Sequence, residues 1–185
     1  MRLANFTFCQ YSSRYDRFLS GEHVNIFDAS LGNGAVMDLG VYCLHTCCAL
    51  FGAPKRVHAA GSSLSNGVNA AGSVQLDYGD MQANITFSKV SDDVFPSFIQ
   101  GERGTLTFDT LNGPAYVRLY RHDKHMEALQ YDPEPNNMVY ELRAFSRCIR
   151  GEESAAPWEN QSGIVMGLLD EIRRQLGIDF GRAEQ

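Results

Sequence analysis

The stretch Ser73-Val74-Gln75-Leu76-Asp77-Tyr78-Gly79-Asp80-Met81-Gln82-Ala83-Asn84-Ile85-Thr86 decides the fold class. Gly79-Asp80 stands between two alternating runs as a two-residue hairpin loop, because Gly and Asp accept the positive φ angles that such turns need. Pairing Tyr78 with Met81 sets Leu76 opposite Ala83 and Val74 opposite Ile85 on one face. On the other face Asp77 meets Gln82, Gln75 meets Asn84 and Ser73 meets Thr86. An apolar face backed by a polar one is the pattern of an antiparallel sheet that helices cover on one side only.

Outward from the hairpin, Ala4, Phe6 and Phe8 alternate with Leu3, Asn5, Thr7 and Cys9, which predicts a first strand running through Tyr11. Further strand patterns fall near residues 56 to 64, 96 to 100, 104 to 109, 115 to 120 and 127 to 131. An irregular stretch leads to Gly32-Asn33-Gly34, and from Ala35 the spacing of Val36, Leu39, Cys43, Cys47 and Leu50 predicts a helix stopped by Gly52 and Pro54. Two helices close the chain. Met138, Leu142, Phe145 and Ile149 form the stripe of one, before Gly151; Ile164, Leu168, Ile172 and Leu176 form that of the other, before Gly177. Strands in the middle with helices outside them give an α+β fold: a mostly antiparallel open sheet of about six strands with helices on one face, in a single domain over residues 1–185.

The chain has 185 residues, 44% hydrophobic and 21% charged, which is globular composition. A net charge of −6 argues against nucleic acid or an anionic membrane as partner. No 18-residue apolar run or signal peptide is read, and five cysteines, an odd number, suit a reducing compartment, so the expected location is the cytoplasm. The glycosylation triplets at Asn5, Asn84 and Asn160 are then chance matches.

Few residues carry chemistry by spacing alone. Gly32-x-Gly34 before a helix resembles a nucleotide fingerprint, but Met37 holds the third glycine position and no tight strand-turn-helix unit precedes it; a substrate-facing loop and a flexible helix entry both remain open. Cys43, Cys47 and Cys48 lack the second distant pair of a zinc site and read as buried thiols, and His122-Asp123-Lys124-His125 reads as a charged tip between strands, so no metal is expected. Neither Gly-x-Ser-x-Gly nor His-Glu-x-x-His occurs. Asp38 and Tyr42, one turn apart on the first helix, share a face; a polar pair at that spacing serves equally as surface structure or as an acid/base couple.

Gly32-Asn33-Gly34-Ala35-Val36-Met37-Asp38-Leu39-Gly40-Val41-Tyr42 resembles the signature of the Gfo/Idh/MocA oxidoreductases, in the branch of glucose–fructose oxidoreductase and dimeric dihydrodiol dehydrogenase, where Tyr stands at the position that inositol dehydrogenases fill with His. The segments Tyr11–Asp16, Leu50–Pro54, Ile99–Leu106 and Tyr140–Phe145 support it. The likeness is to the family's C-terminal domain alone, beginning inside its first strand. The family's N-terminal Rossmann domain, with its Glu-Lys-Pro motif and glycine fingerprint, has no counterpart here.

The resemblance implies the C-terminal domain of an NAD(P)-dependent oxidoreductase that acts on a sugar, polyol or diol by hydride transfer and is inactive by itself. In it Tyr42 is the proton-transfer residue and Asp38 faces the catalytic centre, while Gly32, Gly34, Arg14 and His45 face substrate or cofactor. His45 stands where inositol dehydrogenases carry a second acid. NAD or NADP belongs to the complete enzyme, with none expected on this chain; the implied partners are the missing Rossmann domain and a small-molecule substrate. A competing reading is a non-catalytic dimerisation or small-molecule-binding module. The neutral polar face of the hairpin, with Ser73, Gln75 and Asn84, further predicts a homodimer through the open sheet face.

Overall fold

The computed structural model describes residues 1–179. Its strands are β1 (Leu3–Cys9), β2 (Arg56–Ser63), β3 (Asn69–Asp77), β4 (Gln82–Ser88), β5 (Ser97–Gly101), β6 (Gly104–Phe108), β7 (Val117–Arg121) and β8 (Met126–Ala128). The helices are α1 (Tyr15–Leu19), α2 (Val41–Phe51), α3 (Met138–Ile149) and α4 (Ala156–Leu176), with a π-helical turn over Val36–Gly40 leading into α2. The strands form one sheet in the order β2-β3-β4-β1-β5-β6-β7-β8. It is α+β as expected, with eight strands among the described residues where about six were expected, since each alternating segment of the sequence joins the same sheet. Only β1 and β4 run parallel; the remaining neighbours are antiparallel. That pair follows from connectivity: the chain leaves β1 over α2, and two hairpins bring β4 back beside it in the original direction.

The hairpin has the register read from its sequence, with Val74 on Ile85, Leu76 on Ala83, Gln75 on Asn84 and Asp77 on Gln82. Gly79 takes φ +98° in the loop, and its N–H donates to Asp77 Oδ1 at 2.7 Å. Val74, Leu76, Ala83, Ile85 and Phe87 are buried, while Ser73, Gln75, Gln82 and Thr86 are exposed on the open face. Against the apolar face pack Val36, Leu39, Cys43, Leu44 and Cys47 from the π-turn and α2, and Val165, Leu169 and Ile172 from α4. Burial pushes the Cys43 and Cys47 thiols well above the usual range, as befits small apolar side chains.

Four expectations need correction. In α2, Leu50 is exposed, and Leu44 and Cys48 are buried in its place. In α4, the buried line is Val165, Leu169 and Ile172, with Leu168 and Leu176 at its margin and Ile164 largely outside. Pure i+4 steps precess about 40° per step around a helix, so a straight buried face takes mixed steps of three and four. The α3 stripe is not core at all: Met138, Leu142, Phe145 and Ile149 are exposed, and no residue of that helix is buried. Lastly, Ala29–Phe51 does contain an 18-residue window apolar enough to match a membrane span by length and composition. The Gly32-Asn33-Gly34 turn interrupts it, and half of the window is buried inside this chain's own core.

The stretch read as irregular holds α1 and a second small core, where Tyr15 and Phe18 meet Phe27 at ring-centroid distances of 5.4 and 5.2 Å. This cluster sits beside the C-terminal ends of β1 and β4. Beyond both strands the pairing continues, with Gln10 N–H on Ser88 C=O and Ser12 N–H on Lys89 C=O, each at 2.9 Å.

Candidate functional site

A cleft of about 290 Å³ opens at those two strand ends, lined by Gln10, Ser12, Ser13, Arg14, Ile26, Asp38, Leu39 and Lys89. A roomier depression of about 810 Å³, walled by loops around Asn112–Ala115 and Tyr131–Asn137, offers Glu134 as its only charged group. Charges of both signs also meet in an open depression of about 530 Å³ lined by Glu102, Arg103 and Arg121, but only the smaller cleft, among those described, sets a buried cation against a carboxylate, a mark of a site that handles a polar ligand.

Asp38 enters from the π-helical turn, its N–H bonded to Gly34 C=O at 3.1 Å. The turn is held at both ends. Val36 N–H donates to the buried Asn69 Oδ1 at 3.0 Å, while Asn69 Nδ2 donates to Ser62 and Ala71 carbonyls, tying the helix start to β2 and β3. At the other end Gly40 lies so close to β4 that a Cβ there would stand 3.0 Å from the Phe87 ring. That approach brings Asp38 Oδ2 within 2.8 Å of Lys89 Nζ, two residues beyond Phe87. The Lys89 side chain is only 4% exposed and that of Asp38 59%, so a buried cation supports a carboxylate that faces water. Arg14 enters from the other wall, just before α1.

The remaining candidates are spread more widely. Tyr42 follows Asp38 by one turn, half exposed, with its ring edge-on to Phe8 at 5.2 Å; it does not line the cleft, and its hydroxyl makes no hydrogen bond among the described residues. His45 faces α4, where its Nδ1 and carbonyl oxygen both take the Gln161 amide at 3.2 Å, and burial holds its imidazole below the usual range. Gly32, at φ +73°, ends a 3₁₀ turn, and Gly34 packs over Asn69, where a Cβ would stand 3.3 Å from that residue's own. Both shape the approach to the π-turn without lining the cleft. Asn69 occupies the Val36 amide at the helix start, so that N–H is not free for a phosphate.

Lys89 escaped the sequence reading although a signal existed. Ala83, Ile85 and Phe87 face the core at alternate positions, and the next such position holds a lysine, a charge where an apolar side chain is expected.

The profile of the GFO/IDH/MocA C-terminal domain matches residues 2–107. Uncharacterized oxidoreductase YgjR of Escherichia coli is 42% identical to the chain over 180 residues, which is 97% of this chain and 55% of that protein. The scyllo-inositol 2-dehydrogenase (NADP(+)) IolU of Bacillus subtilis is 41% identical over 177 residues, 94% of this chain and 54% of that protein. Among solved structures, KijD10, a 3-ketoreductase from Actinomadura kijaniata in complex with NADP and TDP-benzene, superposes with a TM-score of 0.76 at 22% identity, over 95% of this chain and 54% of that one, a likeness of fold. The chain thus spans about half the length of the curated relatives it matches.

Proposed function

The chain belongs to the Gfo/Idh/MocA oxidoreductase family, whose C-terminal domain it matches, and from that premise we propose that residues 1–185 are the substrate and oligomerisation domain of an NAD(P)-dependent oxidoreductase acting on a sugar, polyol or diol. The observation that carries this reading is the cleft in which Asp38, Lys89 and Arg14 converge beside the helix bearing Tyr42. A nicotinamide cofactor, when bound, would supply the hydride chemistry, in keeping with the NADP(+) in the name of the Bacillus subtilis relative. This chain's share is to orient the substrate and move a proton. Asp38, an acceptor with one uncommitted oxygen, binds a substrate hydroxyl; Ser12, Ser13 and Gln10 offer neutral hydrogen bonds, and Tyr42 exchanges the proton at the reacting oxygen. Arg14 faces the substrate from the far wall.

The experiment joins the chain to the half of the Bacillus subtilis relative that it does not match, taken as the dinucleotide-binding part, and compares Tyr42→Phe with the parent. Turnover is expected to fall by about 10²–10⁴-fold while NADPH affinity is kept. Nearly full turnover in Tyr42→Phe moves the proton-transfer role to Asp38, and a joined protein inactive on every polyol, sugar and diol overturns the reading.

Association belongs to the same proposal. The open sheet face carries Ser73, Gln75, Gln82, Asn84 and Thr86, neutral hydrogen-bonding groups suited to a twofold contact with trapped water. Light scattering on the wild type and on Gln75→Lys with Asn84→Lys, which sets like charges opposite each other, is expected to give a dimer and a monomer. A dimer that survives those lysines moves the contact to the helical side.

A further inference from the structure

Lys89 is the strangest residue in the molecule by burial. Its ammonium group is enclosed, and each direction open to it is taken: Asp38 Oδ2 at 2.8 Å, Ile26 C=O at 3.4 Å and the face of Phe27, whose ring centroid is 5.6 Å away. An ammonium ion buried without such partners would lose its hydration for nothing, so the arrangement is a built one. The same residue's backbone fixes one more piece of the cleft, through Ser12 N–H on its carbonyl at 2.9 Å, and is itself tied to β3 by its own N–H on Ala70 C=O at 2.9 Å.

The geometry points to Lys89 as the positioning residue of the substrate cleft, holding Asp38 by Oδ2 so that its other oxygen is presented to the cleft and the domain selects a substrate with a hydroxyl donor at that point. This rests on Asp38 as a substrate-facing group. The asymmetry of burial gives the logic: Lys89 has no water to turn to and cannot leave, whereas Asp38, free of the pair, would sample its rotamers in solvent. Lys89 touches no substrate in this account and works through Asp38 alone. A carbonyl or ether in place of the selected hydroxyl leaves the Asp38 carboxylate without a donor, and a carboxylate there meets it as a like charge.

Lys89→Met is the variant of choice, since it removes the enclosed charge and leaves behind a carboxylate already in contact with water, together with the Ile26 carbonyl, which the ammonium holds only at 3.4 Å. Crystal structures of the 185-residue chain, as wild type and as Lys89→Met, read the positioning directly. The expected result is Asp38 in one conformer on Lys89 in the first, and turned away or split between rotamers in the second. An Asp38 conformer unchanged by Lys89→Met overturns the proposal whether or not the chain is part of a dehydrogenase.

In the joined enzyme described above, Lys89→Met is expected to raise KM for the polyol at least tenfold with the Kd of NADPH unchanged, and Lys89→Arg to restore part of it. Lys89→Met combined with Asp38→Asn is expected to be no worse than Asp38→Asn alone, because both act through one carboxylate. Losses that multiply in the double variant, or an unchanged KM in Lys89→Met, overturn the proposal. A wild-type joined enzyme with no activity counts against the proposed function instead, and the crystallographic comparison then decides the role of Lys89.

Discussion

One face of this sheet meets two different fates. Over β2, β3, β4 and β1 it is covered by the π-turn, α2 and α4, and Phe6, Leu76, Ile85 and Phe87 are wholly buried. Over β5, β6 and β7 the same face carries Ile99, Leu106, Phe108, Val117 and Leu119, which remain only half-buried. The apolar stripe of α3 is likewise open to solvent. Alternation and helical periodicity state that a face is apolar; they do not state what covers it. The covered half is also the half that holds the cleft, since the contact of Gly40 with Phe87 is what sets Asp38 on Lys89.

The largest expected difference between the halves is in stability. Phe87→Ala, in the covered half, is expected to cost about 3–5 kcal/mol in urea unfolding of the chain, the transfer of a buried ring plus the cavity it leaves. Phe145→Ala on α3, 63% exposed, is expected to stay within about 0.5 kcal/mol. Equal costs would break the comparison by placing α3 against the sheet in solution.

A smaller effect separates two strand glycines. A Cβ at Gly72 would stand 2.7 Å from Phe87 Cζ and 2.9 Å from Ala60 C=O, and Gly72→Ala is expected to cost about 1–3 kcal/mol by overpacking. At Gly101, in the other half, the nearest atom would be 3.7 Å away, and Gly101→Ala is expected to change stability by less than about 0.5 kcal/mol in the same assay.

The smallest contrast is electrostatic. The Gly79 amide and then Arg56 hold the Asp77 carboxyl below its usual range, and Arg2 does the same for Glu102 across the sheet. A carboxyl depressed on folding contributes stability that is present above about pH 4, its unfolded value, and is lost as pH falls through the lower folded one. Acid titration of unfolding is therefore expected to show less acid destabilisation in Asp77→Asn than in wild type. In about 1 M salt the Glu102 contribution, from one exposed ion pair, should vanish first, while that of Asp77, anchored to a backbone amide, persists.

Much of the covered half was legible in the sequence, because its rules are local. The Gly79-Asp80 loop fixed the register of β3 on β4, and the spacing of Val36, Leu39, Cys43 and Cys47 placed a helix over it. The parallel pairing of β1 with β4 was not legible, since it depends on where the chain returns after two hairpins. Nor was the π-turn, which Asn69 and Phe87 impose from strands distant in sequence. Within the site, Arg14 and Asp38 could be named one by one, but their convergence could not, and Lys89 was hidden by the convention that a lysine lies at the surface. His45 was named from a family position, and its contact with Gln161 on α4 is a tertiary fact that no local pattern records.

The division proposed for this family member gives the substrate to this chain and NADPH to a dinucleotide-binding half. Isothermal titration with NADPH tests it most directly, run on the 185-residue chain and on the same chain joined to a dinucleotide-binding half. No binding is expected with the chain alone and micromolar binding with the joined protein; micromolar binding of NADPH by the chain alone would overturn that division.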